Sequence, residues 1–413
     1  MKVLVINCGS SSVKYGLYVM PGNELLGGGI VDRIARKPSE LRYDYGSGKQ
    51  SCEVDVEGHS GAVRLILRDV LDTSHGLVSE EGRIDAVGHR VVHGGDIENE
   101  AALIDADILG RIERFAPMAP LHDPPSLEAI QAAMEVLHDI PHVACFDTAF
   151  HCTIPEVAYI YGLPLSYYRE YGVRRYGFHG ISCRFVAGRA ANMLGRPAGE
   201  LNAIICHLGN GCSITAVQNG RSADTSMGMT PLEGLVMGTR AGDIDPGILF
   251  YLAEKGIDLA ELKRVVNRRS GLLGLSGVSS DMRDILGAAQ QGSPTARLAV
   301  AVFCYHLRKY IGAYMAIIRD LHALIFTGGI GENAAEIRRQ TCADLRHMGI
   351  AIDPEKNERV TGAGGNIAAD ESRIRVLVVP TDEELAIAGS TYQLLAGLPK
   401  EPASAHGRPL GDL

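Results

Sequence analysis

Short apolar runs separated by glycine-rich polar turns open this chain, and the same arrangement returns at Ala203. Residues 3–6, Val-Leu-Val-Ile, lead into Asn7-Cys8-Gly9-Ser10-Ser11-Ser12 and then into an apolar run over 13–19. Ala203-Ile-Ile-Cys206 leads into His207-Leu208-Gly209-Asn210-Gly211 and then into an apolar run over 213–217. Short apolar runs bounded by Gly, Ser and Asn read as strands, and Asn-Gly is a strong hairpin signal. Each unit is predicted to be strand, tight turn, strand. Such turns gather backbone N–H groups and hydroxyls at one point, which suits phosphate. Two of them predict a duplicated domain closing over a polyphosphate from both sides.

The rest of the pattern extends this plan. A bend at Gly27-Gly28-Gly29 is expected to lead into Ile30-Val31. Helical spacing marks 63–71 and 126–138, whereas 86–92 and 143–146 read as buried strands. The second of these ends at Asp147, and strand carboxyl ends are where α/β proteins place ligands. A Tyr- and Pro-rich stretch follows residue 150. From Pro294 to Asp320, Val300, Phe303, Leu307, Tyr310, Tyr314 and Ile317 step by threes and fours, predicting an amphipathic helix. Residues 323–326 read as a strand running into Thr327-Gly-Gly-Ile-Gly-Glu-Asn333 at the start of another helix. Residues 374–379 read as a strand. Thr381-Asp-Glu-Glu384 reads as a capping box for a helix over 385–395, which Gly397 and Pro399 stop. The last dozen residues are expected to lack order. Meanders alternating with helices, given twice, predict two similar α/β domains with a cleft between them.

Composition narrows the partners. At 413 residues the length suits two or three domains. A net charge of −9 advertises no basic face for nucleic acid and makes any arginine in a phosphate-like site a local exception. The nine cysteines are scattered without a C-x-x-C pair, which predicts neither a zinc site nor a disulfide framework and suggests a reducing compartment. The apolar stretch at the start is too short for a secretion signal. The longest uncharged window, 201–220, is broken by Asn202, His207, Asn210 and Gln218. A cytoplasmic protein without a membrane span is expected.

Candidate chemistry sits in the turns. The segment Asn7 to Lys14 is not a Walker A loop, because no second glycine precedes the lysine and β-branched residues follow it. It reads either as a Ser-rich hairpin or as a phosphate clamp in which Lys14 supplies charge. Gly328-Gly-Ile-Gly-Glu-Asn333 has the wrong spacing for a dinucleotide fingerprint, yet a helix start behind glycines suits an adenosine or phosphate edge. Arg90, in Gly88-His-Arg-Val-Val-His-Gly-Gly95, and Arg240, in Gly238-Thr-Arg-Ala-Gly-Asp-Ile-Asp-Pro-Gly247, carry guanidinium forks suited to carboxylate or phosphate. For Arg240 the alternative is a structural pair with Asp243 or Asp245. His179 could be a core histidine, Asp147 a capped strand end, and Glu383 an acidic residue favoured in a first helical turn.

Taken together, Asn-Cys-Gly-Ser-Ser-Ser-Val-Lys, Gly-His-Arg-Val-Val-His-Gly-Gly, Tyr-Gly-Phe-His-Gly, His-Leu-Gly-Asn-Gly, Asp-Thr-Ser-Met-Gly-Met-Thr-Pro-Leu-Glu-Gly, Gly-Thr-Arg-Ala-Gly-Asp-Ile-Asp-Pro-Gly and Thr-Gly-Gly-Ile-Gly-Glu-Asn closely resemble the acetate kinase family. That family belongs to the superfamily of sugar kinases, heat-shock chaperones and actin. The resemblance runs in order from residue 2 to about residue 395. It implies duplicated actin-like (ribonuclease H-like) α/β domains, mixed sheets flanked by helices, with the active site in the interdomain cleft. The first domain would comprise 1–149 plus 385–413, the terminal helix returning to it, and the second 150–384.

The activity implied is reversible, Mg²⁺-dependent transfer of the ATP γ-phosphoryl group to acetate, in a homodimer, with Mn²⁺ as an alternative metal. By position, Asn7 and Glu383 match the metal site. Lys14 and Ser12 match nucleotide phosphate contacts, and His207, Leu208, Gly209, Asn210 and Gly211 the second phosphate loop. Asp281, Met282 and Arg283, with Gly329, Ile330, Gly331, Glu332 and Asn333, match the segments that hold adenosine. Arg90 matches the carboxylate binder, and Val92, Leu121 and Pro231 the apolar wall beside it. Asp147, His179 and Arg240 match the catalytic residues. Asp96 stands where the family often has Glu, and Ala241 where Ser is frequent. The competing expectations are a propionate or butyrate kinase of the same family and, from another class, a nucleotide-gated switch like the chaperones and filament formers.

Overall fold

The computed structural model describes residues 1–34, 38–46, 48–72, 77, 83–97, 99–119 and 122–397. Its two mixed sheets are built on one plan. The first contains β1 (Lys2–Cys8), β2 (Val13–Val19), β3 (Glu24–Asp32), β4 (Ser39–Asp44), β5 (Gln50–Val54), β6 (Ala86–Val91), β7 (Ala101–Leu103) and β8 (His142–Phe146). The second contains β9 (Ala203–Leu208), β10 (Cys212–Gln218), β11 (Arg221–Thr225), β12 (Ala323–Thr327), β13 (Gly365–Asn366) and β14 (Arg375–Val378). In the first sheet β3-β2-β1 form an antiparallel meander, with β6 and β8 added in parallel beside β1. In the second, β11-β10-β9 form the same meander, with β12 and β14 added in parallel beside β9. Strand order and direction therefore repeat, as the two hairpin motifs predict. The central strands are buried on both faces, which explains their unbroken apolar runs.

Three local expectations are revised. The glycines at 27–29 make no bend, and β3 runs through them. A Cβ on Gly28 would stand 2.6 Å from the Tyr15 carbonyl, so the missing side chain serves close packing of strands. The helices expected at 63–71 and 126–138 begin earlier, at Gly58–Val70 and Asp123–Val136. Pro124 and Pro125 lie in the first turn of the latter, where an N–H has no helical partner to lose. The capping box at Thr381 is absent: Asp382 Oδ1 accepts from the Leu385 N–H at 2.9 Å, and the helix spans Glu383–Gly397. The last dozen residues lie outside the described residues.

That terminal helix lies on the first sheet. Ile387 and Ala388 are buried in one cluster with Val3, Val5, Val143 and Cys145. Gly88 permits the approach, since a Cβ there would meet Thr391 Oγ1 at 2.5 Å and Ile387 Cγ2 at 2.8 Å. The long helix Pro294–Ile317 packs under the second sheet through Val300, Phe303, Leu307, Ile311 and Tyr314, while Ile317 is exposed. Among the described residues, no helix is long and apolar enough to cross a membrane.

Arg338 was not legible in the sequence as a structural residue. It is fully buried and donates to Asn357 Oδ1 and to the carbonyls of Gly331, Glu332, Asn357 and Val360 at 2.8–2.9 Å. It ties the short helix Gly328–Asn333 to the helix Pro354–Arg359. Buried carbonyls left without donors cost about 1–3 kcal/mol each. Arg338→Leu is expected to lower stability by about 3 kcal/mol or more, and Arg338→Lys by less, as read by urea denaturation.

Candidate active site

Both hairpin turns and the carboxyl ends of the parallel strands face one cleft. Asn7 and Lys14 are paired across the β1–β2 hairpin, and His207 and Ser213 across the β9–β10 hairpin. Arg90 lies near the end of β6, and Asp147 directly follows β8. The terminal helix brings Glu383 and Glu384 in its first turn.

Arg90 is the centre of the first wall. Its Nη2 and Nε donate to Asp147 Oδ2 at 2.6 and 3.2 Å, and its Nη1 reaches Asn7 Oδ1 at 3.4 Å. Its Nε lies 3.9 Å from Glu383 Oε2. Asn7 Nδ2 donates to Glu384 Oε1 at 2.9 Å and approaches Glu383 Oε2 at 3.4 Å. Lys14 Nζ stands 4.0 Å from Glu384. Burial works against the Arg90 charge but is outweighed by Asp147, Glu383 and Glu384, which hold the guanidinium above its ordinary pKa. Burial pushes the Asp147 carboxyl up, against the pull of Arg90. Burial of Glu383 is outweighed by Arg90, His207 and Lys14, so its carboxyl stays below the usual range.

The second wall holds imidazoles and Arg240. His179 takes a left-handed φ of 60°, a conformation that non-glycine residues seldom adopt and that recurs at functional sites. The ring stacks on His207 at 4.2 Å between centroids, and its Nδ1 lies 3.1 Å from Ser213 Oγ. Burial, then the neighbouring His207, Arg90 and Arg240, drive its pKa well down, so the ring is neutral at pH 7. Arg240 has no carboxylate partner among the described residues, and the pairing with Asp243 or Asp245 weighed from the sequence is not formed. It donates to His122 Nε2 at 3.0 Å and to the Pro231 carbonyl at 3.3 Å. Asp243 instead accepts from the Gly234 N–H and from Tyr310.

His122 was missed by the sequence reading. Burial, then Arg240 and Arg90, lower its pKa to about 3. With Nε2 accepting, its proton sits on the buried Nδ1, which has no partner among the described residues. Glu384 was also missed, as was Phe178, which is buried in one cluster with Val92 and Ala119. Its position beside His179 was the available signal. Pro231 lines the cleft, and Leu121 lies outside the described residues.

A separate cavity of about 850 Å³ is lined by Gly209, Asn210, Asp281, Met282, Arg283, Gly329, Ile330 and Asn333. Three segments far apart in sequence thus meet as the motif matches imply. Within them some groups are already committed. Asp281 caps its helix and pairs with Arg283 at 2.5 Å. Glu332 Oε1 accepts from the N–H groups of Gly328 and Thr381. Leu208 and Gly331 are buried behind the loops, while Ser12 lies in the first turn, half-buried. Gly211 sits where a Cβ would be 3.4 Å from the His179 ring and 3.7 Å from Arg240 Nη1, between this cavity and the second wall.

Two repeated meander sheets facing a cleft with a nucleotide-sized cavity define a protein of duplicated actin-like domains. The chain belongs to the Acetokinase family, whose profile matches residues 2–389. It is 48% identical to the acetate kinase of Thermotoga maritima over 398 residues, 96% of this chain and 99% of that one. It is 46% identical to that of Clostridium acetobutylicum over 400 residues, 96% and 100% of the two chains. The crystal structure of Porphyromonas gingivalis acetate kinase matches with a TM-score of 0.89 at 44% identity, covering 95% of this chain and 99% of that one. A propionate kinase from Francisella tularensis matches with a TM-score of 0.88 at 39% identity, covering 94% and 98%.

Asp123 supports the first wall from behind. Its Oδ1 accepts from the N–H groups of Val92 and His93 at 3.2 Å each, and burial raises its pKa to about 7. Between the unfolded value of 3.8 and 7 the folded state binds the extra proton, so this carboxyl's contribution to stability falls as pH rises. The stability of wild type minus that of Asp123→Asn is expected to drop by up to about 1.4 kcal/mol per pH unit from pH 4 to 7 and to level off above, as read by urea denaturation.

Proposed function

We propose that this chain transfers the γ-phosphoryl group of ATP to acetate, reversibly, giving acetyl phosphate and ADP. The observation that carries the reading is Arg90 and Arg240 facing one cleft beside a nucleotide-sized cavity, in a chain of this family. Acetate is already ionised at neutral pH, so no general base is needed to create the nucleophile. A carboxylate oxygen attacks the γ-phosphorus as the bond to the bridging β-phosphate oxygen breaks, and ADP leaves with that oxygen.

Arg90 clamps the acetate carboxylate. Asp147, bonded to Arg90 through two N–H groups, orients it rather than taking a proton. Arg240 and His179 stabilise the charge on the phosphoryl oxygens in flight, and the unpartnered His122 N–H is a further donor on the same wall. The loops at Ser12–Lys14 and His207–Gly211 hold the phosphates, while 281–283 and 329–333 hold adenosine. Val92, Leu121 and Pro231 limit the acyl group. Closure of the two domains (1–149 with 385–413, and 150–384) excludes water, which would otherwise hydrolyse ATP.

Glu383 and Asn7, with Glu384 beside them, offer the hard oxygen donors that Mg²⁺ takes along with phosphate oxygens. Bound there, the ion would neutralise phosphate charge. A homodimer in the cytoplasm completes the reading by family likeness.

Purified protein with Mg-ATP and acetate is expected to form acyl phosphate, trapped with hydroxylamine, with yield falling from acetate through propionate to butyrate. Arg90→Ala should abolish most of it, and Arg240→Ala should lower kcat by about 10²–10³-fold. Absence of hydroxamate with every acid would overturn the reading. A wild-type preference for propionate would move the substrate to the longer acid. Val92→Ala should shift the propionate-to-acetate ratio of kcat/KM upward by about tenfold.

A further inference from the structure

Beyond Arg240, His122 and Pro231 the cleft continues outward as a cavity of about 520 Å³, many times the volume that acetate would fill. Among the described residues four cationic side chains line it, Arg240, Lys263, Arg264 and Arg268, and no carboxylate does, in a chain whose net charge is −9. Nearby Glu261 is shared by Arg264 and by Arg269, the latter at 2.7 Å, so that group keeps a surplus positive charge. Lys263 and Arg268 have no ion-pair partner among the described residues.

The cationic segment is held against the second wall. The helix Leu259–Arg264 passes into a π-type turn, Val265–Arg269, a rare geometry that is frequent at functional sites. That turn is pinned to the Arg240 loop: Thr239 Oγ1 donates to the Asn267 carbonyl at 3.1 Å, the Ala241 N–H to the Val266 carbonyl at 2.9 Å, and the Ser270 N–H to the Thr239 carbonyl at 3.0 Å. The backbone that carries these exposed side chains is thus fixed relative to Arg240 rather than being a loose loop.

We propose that Lys263, Arg264 and Arg268 form an outer anion-binding site, a vestibule that gathers the small dianionic acyl phosphate before Arg240 and Arg90 receive it. The assignment of the acyl phosphate rests on the proposed reaction. A surplus of fixed positive charge at the mouth raises the local concentration of anions, and more for a dianion than for a monoanion. Acetyl phosphate therefore gains more than acetate, and nucleotide, which enters the other cavity, gains little.

The test compares Lys263→Gln/Arg268→Gln with wild type in both directions at low salt, folding being checked by thermal melting. The KM for acetyl phosphate is expected to rise by about three- to tenfold, that for acetate by less, with kcat and the nucleotide KM unchanged. The salt dependence of kcat/KM for acetyl phosphate should become shallower. An unchanged KM with the wild-type salt slope, or an equal rise for nucleotide, would overturn the vestibule. A readout independent of turnover is amine labelling of Lys263 in wild type, followed by mass spectrometry. Inorganic phosphate should slow it while leaving exposed Lys255 unaffected. Protection of Lys263 without acetate-dependent turnover would retain the anion site and reject the reaction; turnover without protection or a KM effect would do the reverse.

Discussion

A guanidinium withdrawn from water must have anionic partners, because an uncompensated buried charge is strongly destabilising. Arg90 meets that demand with groups drawn from opposite ends of the chain. Asp147 follows β8, Asn7 is the penultimate residue of β1, and Glu383 and Glu384 open the terminal helix, the last two hydrogen-bonding to Asn7 across 376 and 377 residues of sequence. The terminal helix must therefore dock on the first sheet, and Gly88 in β6, two residues before Arg90, gives it room. Packing of the terminal helix on the first sheet and formation of the first wall go together.

The opposite wall is charged in the other sense. Three imidazoles there are kept neutral, above all by burial, helped at His179 and His122 by Arg90 and Arg240 and at His207 by Arg90 and Lys14. Arg240 lacks a carboxylate partner among the described residues, and the cations at 263–268 extend the same sign outward. Carboxylates gather on the first wall, around Arg90 and Lys14, whereas the second carries Arg240 and neutral imidazoles. An anion between the walls can be held by Arg90 without neutralising the donors that stabilise transferring charge, which suits phosphoryl transfer, where positioning and electrostatics do most of the work.

The repeat of the fold was legible because hairpins declare themselves locally. Asn210-Gly211 and the serines after Gly9 mark tight turns, and the flanking apolar runs fit strands buried on both faces. The long helix at Pro294 was legible for the same reason, its spacing needing no knowledge of what it packs against. Errors fell where a residue's role depends on a distant neighbour. The glycines at 27–29 look like a bend in isolation but serve close approach to Tyr15. Thr381 looks like a cap, yet its hydroxyl bonds to Ser182 and its N–H to Glu332. Arg240 has aspartates close in sequence, and its partners are His122 and Pro231.

By itself the sequence determined the strand–turn–strand units, their duplication, the family likeness and the candidate residues that those motifs carry, since each follows from local propensity or contiguous motifs. Only the tertiary structure decided which of those residues meet. The grouping of Asn7, Arg90, Asp147 and Glu383, the neutral state of His179 and His122, and the basic lining beyond Arg240 arise from burial and from contacts across hundreds of residues. Desolvation and Coulomb interaction depend on distance in space, which no local pattern of residues encodes.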